Sequence, residues 1–180
     1  MHKILAQLKW EHQNLVKVLE ILSKHLDHLL EGDDSDIDLI IELIEYLETF
    51  ADLGHHPLEN VIFDVAKQRM PEQSGIYERL GRQHEQLERH TKTFRLALEG
   101  VMHETVMSRE ELVTRGRECL ALQREHHDLE EQQAFPLLDE GLSEEDWRHI
   151  SANLPKYDDP VFGKSEIRRF RNLVAYLSRR

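Results

Sequence analysis

Apolar residues recur every three or four positions along almost the whole chain, the period of a helix with one buried face. No convincing alternating strand pattern interrupts them. The first stripe, from about Ile4 to Leu30, reads Leu5, Leu8, His12, Leu15, Leu19, Leu22. The second reads Ile44, Leu47, Ala51, His55, Leu58, Ile62, with Glu59 beside Leu58. The third reads Ile76, Leu80, His84, Leu87, Thr91, Phe94, Leu98. The fourth reads Leu112, Cys119, Leu122, His126, Leu129, Leu137, with Glu130 beside Leu129.

The breaks between stripes carry turn and cap chemistry. Gly32 and Asp33-Asp34-Ser35-Asp36 end the first helix, and Ser35 or Asp36 can cap the second, which extends to about Lys67. Pro71 to Ser74 make the next break, and the third helix runs to about His103. Ser108 and Glu111 form a Ser-x-x-Glu capping box that opens the fourth, which ends near Gly141. Long helices joined by short turns predict an all-α, up-down-up-down four-helix bundle over residues 1–141. Residues 142–180 predict a tail of two short helices packed on it. Ser143-Glu144-Glu145-Asp146 caps one around Trp147, and the other runs from Glu166 to Leu177. The last stretch is basic, with Lys164, Arg168, Arg169, Arg171, Arg179 and Arg180, and is expected to lie on the acidic bundle.

Each stripe is interrupted by one histidine, and two stripes add a glutamate four residues later, on the same helix face. Unpaired carboxylates are expensive to bury, and a metal ion is one of the few partners that justifies two of them. From His12 to the turn near Asp34 is 22 residues, and from there to His55 is 21. The corresponding counts are 15 and 14 about Met70, and 21 and 21 about Thr105. At a constant rise per residue, His12, His55, His84 and His126 therefore share one layer. His12 and His55 are 43 residues apart, His84 and His126 are 42 apart, and each second member opens His-x-x-x-Glu. The chain thus reads as two related helical hairpins.

The string His55-His56-Pro57-Leu58-Glu59, its partner His126-His127-Asp128-Leu129-Glu130 and the two further histidines resemble the hemerythrin-like family, the HHE cation-binding domain. The resemblance covers roughly residues 1–140, and Asp158-Asp159-Pro160-Val161-Phe162-Gly163 is similar to the tail of some bacterial members. It implies two iron ions joined by an oxo or hydroxo bridge. His12, His55, His84 and His126 would be terminal ligands, and Glu59 and Glu130 would bridge. Imidazole with carboxylate suits iron, although zinc or manganese fits the same donors. Carboxylate-bridged pairs are spaced about 3–4 Å apart. Oxygen-carrying members have a further histidine where this chain has Glu88, so reversible oxygen carriage is not expected.

Composition narrows the function. The formal net charge of −12 argues against nucleic acid or an anionic membrane as main partner. No apolar run reaches a membrane span, Met1-His2-Lys3-Ile4 leads straight into a helical pattern, and the single Cys119 excludes an internal disulfide framework. The expectation is a cytoplasmic protein, monomeric or homodimeric, that binds or reduces dioxygen, nitric oxide or peroxide. The redox partner cannot be read. Iron storage, iron delivery or repair of damaged iron centres is the second reading. Repair members often add a cysteine-bearing domain, which these residues do not supply.

Among the other histidines, His56 and His127 lie about 100° round the helix from the ligand positions and are expected either packed behind the ligands or on the surface, and His25, His28, His90, His103 and His149 are expected on the surface. Tyr46 and Cys119 read as core residues. Gly54 and Pro57 flank His55, which predicts either a local bend or a helix that restarts there with Pro57 in its first turn.

Overall fold

The computed structural model describes residues 1–33, 36–103, 106–163 and 168–179. The elements are α1 (Lys3–Leu30), α2 (Ile37–Tyr46), a π-helical stretch (Leu47–His55), α3 (His56–Arg69), a 3-10 turn (Pro71–Gln73), α4 (Ser74–Met102), α5 (Arg109–Leu129), a second π-helical stretch (Glu130–Ala134), α6 (Phe135–Gly141), α7 (Glu144–Asn153), a 3-10 turn (Arg168–Phe170) and α8 (Arg171–Ser178). No strand occurs among the described residues. The rods 37–69 and 109–141 continue through their π-helical stretches, so four rods pack in a ring, with α1 against both α2 and α5, and α4 against both α3 and α5.

Both π-helical stretches adjoin a proline at the start of the next α-helix, Pro57 in α3 and Pro136 in α6. Proline supplies no N–H to its own turn and crowds the preceding one, and the wider turn accommodates both demands. At Gly54 and Pro57 the second alternative holds: a new α-helix starts at His56 with Pro57 in its first turn. Beyond the second stretch the buried face moves on by one residue: Leu138 is buried, and Leu137, expected inside, is half-buried. The extra residue in the wide turn shifts the phase.

The caps follow local chemistry. Ser108 Oγ accepts from the Glu111 N–H at 3.0 Å, and Ser143 with Asp146 forms a reciprocal capping box. Asp36 stands at the head of α2 without capping it, because its carboxylate lies 2.7 Å from His25 Nδ1 instead. Ser35, the turn at Thr105, and Lys164, Glu166 and Arg180 lie outside the described residues.

The apolar interior is divided into two. One cluster gathers Leu15, Leu19, Leu22, Leu43, Leu47 and Phe94 with Phe170 and Leu173 of the tail. The other gathers Leu5, Leu8, Ile62, Leu80, Phe135 and Leu138 with Trp147 and Ile150 of α7. The four histidine positions fall between them. The tail therefore covers both clusters, and its connecting segment crosses the bundle at the level of the histidines. There Tyr157 Oη donates to Glu11 Oε2 at 2.7 Å, and beside the first cluster Tyr46 Oη donates to Asp159 Oδ2 at 3.0 Å. Farther on, Glu42 accepts from the backbone N–H groups of Asn172 and Leu173, both at 2.9 Å, and so caps α8 from another helix. Arg169 forks onto Glu45, as the basic tail predicts.

Candidate metal centre

The six residues singled out in the sequence converge in the layer between the two apolar clusters. His12 and His84 come from the middles of α1 and α4. His55 and Glu59 flank the start of α3, and His126 and Glu130 lie across the junction of α5 and its π-helical stretch. All six are at most 5 % exposed. His12 Nε2 lies 3.0 Å from His55 Nε2, and His84 Nε2 lies 3.1 Å from His126 Nε2. The two glutamates span both pairs. Glu59 Oε1 is 3.2 Å from His55 and 3.6 Å from His12, while its Oε2 is 3.4 Å from His84. Glu130 Oε2 is 3.3 Å from His12, and its Oε1 is 3.2 Å from His126 and 3.8 Å from His84.

This donor set fits cations. None of the four carboxylate oxygens of Glu59 and Glu130 finds a hydrogen-bond donor among the described residues, although all are buried. Each Nδ1 points outward to an acceptor: His12 to Glu131 (3.0 Å), His55 to Glu11 (2.6 Å), His84 to Asn60 (2.8 Å) and His126 to Gln83 (3.1 Å). An imidazole whose Nδ1–H is donated outward presents a bare Nε2 lone pair inward. Two such lone pairs about 3 Å apart repel unless positive charge lies beside them. Two overlapping groups, His12–His55–Glu59 and His56–Glu59–His84–His126, have ligand atoms close enough together to hold a metal ion.

The electrostatics point the same way. Burial disfavours the charged form of His12, but the carboxylates of Glu130, Glu131 and Glu59 outweigh it and hold its pKa well above 6.5. The same opposition raises His55 to about 9, through Glu59 and Glu11, and His84 to about 8, through Glu130 and Glu59. Burial pushes Glu59 and Glu130 up, yet the surrounding imidazoles win and both lie well below 4.5. The carboxylates stay ionised and call for positive charge, from protons or from metal.

Of the two places open to His56 and His127, behind the ligand positions or on the surface, they take the first: both are buried. His56 stacks on His84 with ring centroids 4.3 Å apart, and His127 stacks on His12 at the same separation. Sequence reading missed Glu11, Asn60, Gln83 and Glu131, although each adjoins a candidate ligand in the chain, which was the available signal. The Asp52 carboxylate is buried 3.3 Å from His56 Nδ1, and that burial, with Glu88 and Glu48, raises its pKa to about 8. A cavity of about 420 Å³ reaches this side of the centre, lined by Asp52, His56, Asn60, His84 and Glu88. Glu88 itself is exposed, as are His90, His103 and His149. His25 is buried, contrary to expectation, because Asp36 and Tyr176 close over it. Tyr46 and Cys119 are core residues.

No described helix is long and apolar enough to cross a membrane. The family described as the hemerythrin HHE cation binding domain matches residues 3–138. No curated protein and no solved structure matches the chain.

Proposed function

The chain belongs to the hemerythrin HHE cation-binding family, and on that premise we propose that it holds two iron ions, with an oxo or hydroxo bridge, in order to bind or reduce a small oxidant: dioxygen, nitric oxide or peroxide. His12, His55, His84 and His126 are the terminal ligands of this reading, and Glu59 and Glu130 the bridges. The observation that carries it is the pair of buried glutamates, each reaching both histidine pairs and none of their oxygens hydrogen-bonded among the described residues. When bound, the metal pair supplies redox electrons and open coordination positions to the oxidant. The chain supplies the rest. Outward hydrogen bonds fix the four imidazoles in the tautomer that coordinates. The apolar clusters above and below keep bulk water from the layer. The cavity beside His84 gives a small molecule an approach to within one side chain of the site.

Iron storage or delivery uses the same ligands, but no separate observation favours it. A cytoplasmic setting belongs to the reading. The test is metal analysis of protein purified without added metal, with visible spectra of the reduced protein before and after dioxygen, nitric oxide and peroxide. Two irons per chain and a spectrum that responds to at least one oxidant are expected. Substoichiometric metal, or an iron spectrum indifferent to all three, would overturn the reading.

A further inference from the structure

The two halves of the centre are built alike, with one systematic difference. His55 Nδ1 hydrogen-bonds Glu11 on α1, and at the equivalent place in the second hairpin His126 Nδ1 hydrogen-bonds Gln83 on α4. Glu11 directly precedes His12 and Gln83 directly precedes His84. Both are buried, at 3 % and 5 % exposure, so the halves present the same side-chain shape with and without a charge. The outer bonds of the other two rings follow the same rule: His12 meets the Glu131 carboxylate, and His84 meets the Asn60 amide. One pair of imidazoles is therefore backed by two carboxylates and the other by two amides. The amide assignment of Gln83 is fixed by its environment, because its Nε2 donates to Glu125 Oε1 at 3.2 Å and leaves Oε1 for His126. Glu11 is held in place as well. Tyr157 donates to the same oxygen that takes the His55 proton, and Gln7 donates to the other.

We propose that the two metal positions are unequal by construction: the His12–His55 position, backed by Glu11 and Glu131, binds a divalent cation more tightly than the His84–His126 position, backed by Gln83 and Asn60. The physical reason is charge transfer through the ring. A carboxylate accepting from Nδ1–H draws the proton outward and makes Nε2 a stronger donor, and charge-assisted hydrogen bonds are about twice as strong as neutral ones. Outer partners of metal-bound histidines typically govern about 10- to 100-fold in metal affinity. Glu11 matters more than Glu131, whose side chain is 41 % exposed and screened by water. Glu11 and Gln83 are positioning residues, since they touch the imidazoles and not the ions.

This inference rests on the metal-centre reading above, and the test separates the two. Metal-free full-length chain is titrated with cobalt(II), and uptake is followed by visible absorption. Wild type should fill in two steps. Glu11→Gln, which keeps shape and removes charge, should weaken the first step about tenfold or more and leave the second nearly unchanged. Gln83→Glu, made in each case together with Glu125→Gln because Glu125 Oε1 lies 3.2 Å from Gln83 Nε2 and would otherwise face a like charge, should tighten the second step alone. The double exchange Glu11→Gln/Gln83→Glu should restore two separated steps with the order of filling reversed. Equal shifts of both steps in each variant, or no shift in any, overturn the inequality while the two-metal reading stands. Uptake of a single ion, weakened by Glu11→Gln and indifferent to Gln83→Glu, overturns the two-metal reading and upholds the ranking.

Discussion

Each central imidazole uses both nitrogens, Nε2 facing the buried glutamates and Nδ1 an acceptor outside. That division of labour makes the glutamates the residues with most at stake. Glu59 and Glu130 each approach histidines of both pairs, so on the two-metal reading removing either would open both positions. Glu59→Ala and Glu130→Ala are each expected to lose at least one metal ion per chain, read by elemental analysis. His103→Ala, at an exposed position, should keep the wild-type content. Full metal content in both glutamate variants would show that neither carboxylate bridges.

At the scale of elements, the connecting segment of the tail and the wide turns of the second rod meet in one close contact. A Cβ on Gly54 would lie 2.8 Å from Tyr157 Cγ and 3.2 Å from its Cβ. Those atoms are at the root of the ring and move only with the tail backbone. Gly54→Ala would gain about 1 kcal/mol in helix propensity, but overpacking costs about 1–3 kcal/mol, so net destabilisation of about 1 kcal/mol is expected in chemical denaturation. A more stable variant would mean that Tyr157 yields freely. The other tail attachment is the Glu42 cap on α8. Glu42→Ala leaves two backbone N–H groups without this acceptor and should cost about 1–2 kcal/mol in docking of α8, seen as faster proteolysis near its start. An unchanged cleavage pattern would contradict that role.

For the whole molecule, the histidine–glutamate layer lies between two apolar clusters, so a metal bound there would be coupled to the fold. A bound ion at 100 times its dissociation constant stabilises the native state by about 2.7 kcal/mol, and chelation should lower Tm accordingly. The size of the drop should depend on pH. His55 and His84, raised to about 9 and about 8 from 6.5, contribute stability to the metal-free fold in full below 6.5, and that contribution is lost as pH rises through 8 to 9. Glu59 and Glu130, lowered below 4.5, contribute above 4.5 and cease to do so only as pH falls through their folded values. Metal needs deprotonated imidazoles, so its affinity rises over the range in which the metal-free protein weakens. The Tm difference between loaded and chelated protein should therefore be larger at about pH 9 than at about pH 6. Equal differences at both would mean that protons and metal do not compete for these nitrogens.

The family, the bundle and the shared level of the four histidines were legible in the sequence. They depend on properties that run along the chain: the helical period, the constant rise per residue, and the 43- and 42-residue echo of His12–His55 in His84–His126. What lies around those residues was not legible. That His56 and His127 turn inward and stack on His84 and His12, that Leu138 replaces Leu137 in the interior, and that Asp36 serves His25 instead of capping α2 depend on the phase of wide turns and on neighbours distant in the chain. The pairing of Glu11 with His55 and of Gln83 with His126 belongs to the same class. Sequence placed each beside a histidine of its own helix, but packing aims it at the histidine of the next. Helical period fixes which face a residue occupies, and only the assembled bundle decides what that face meets.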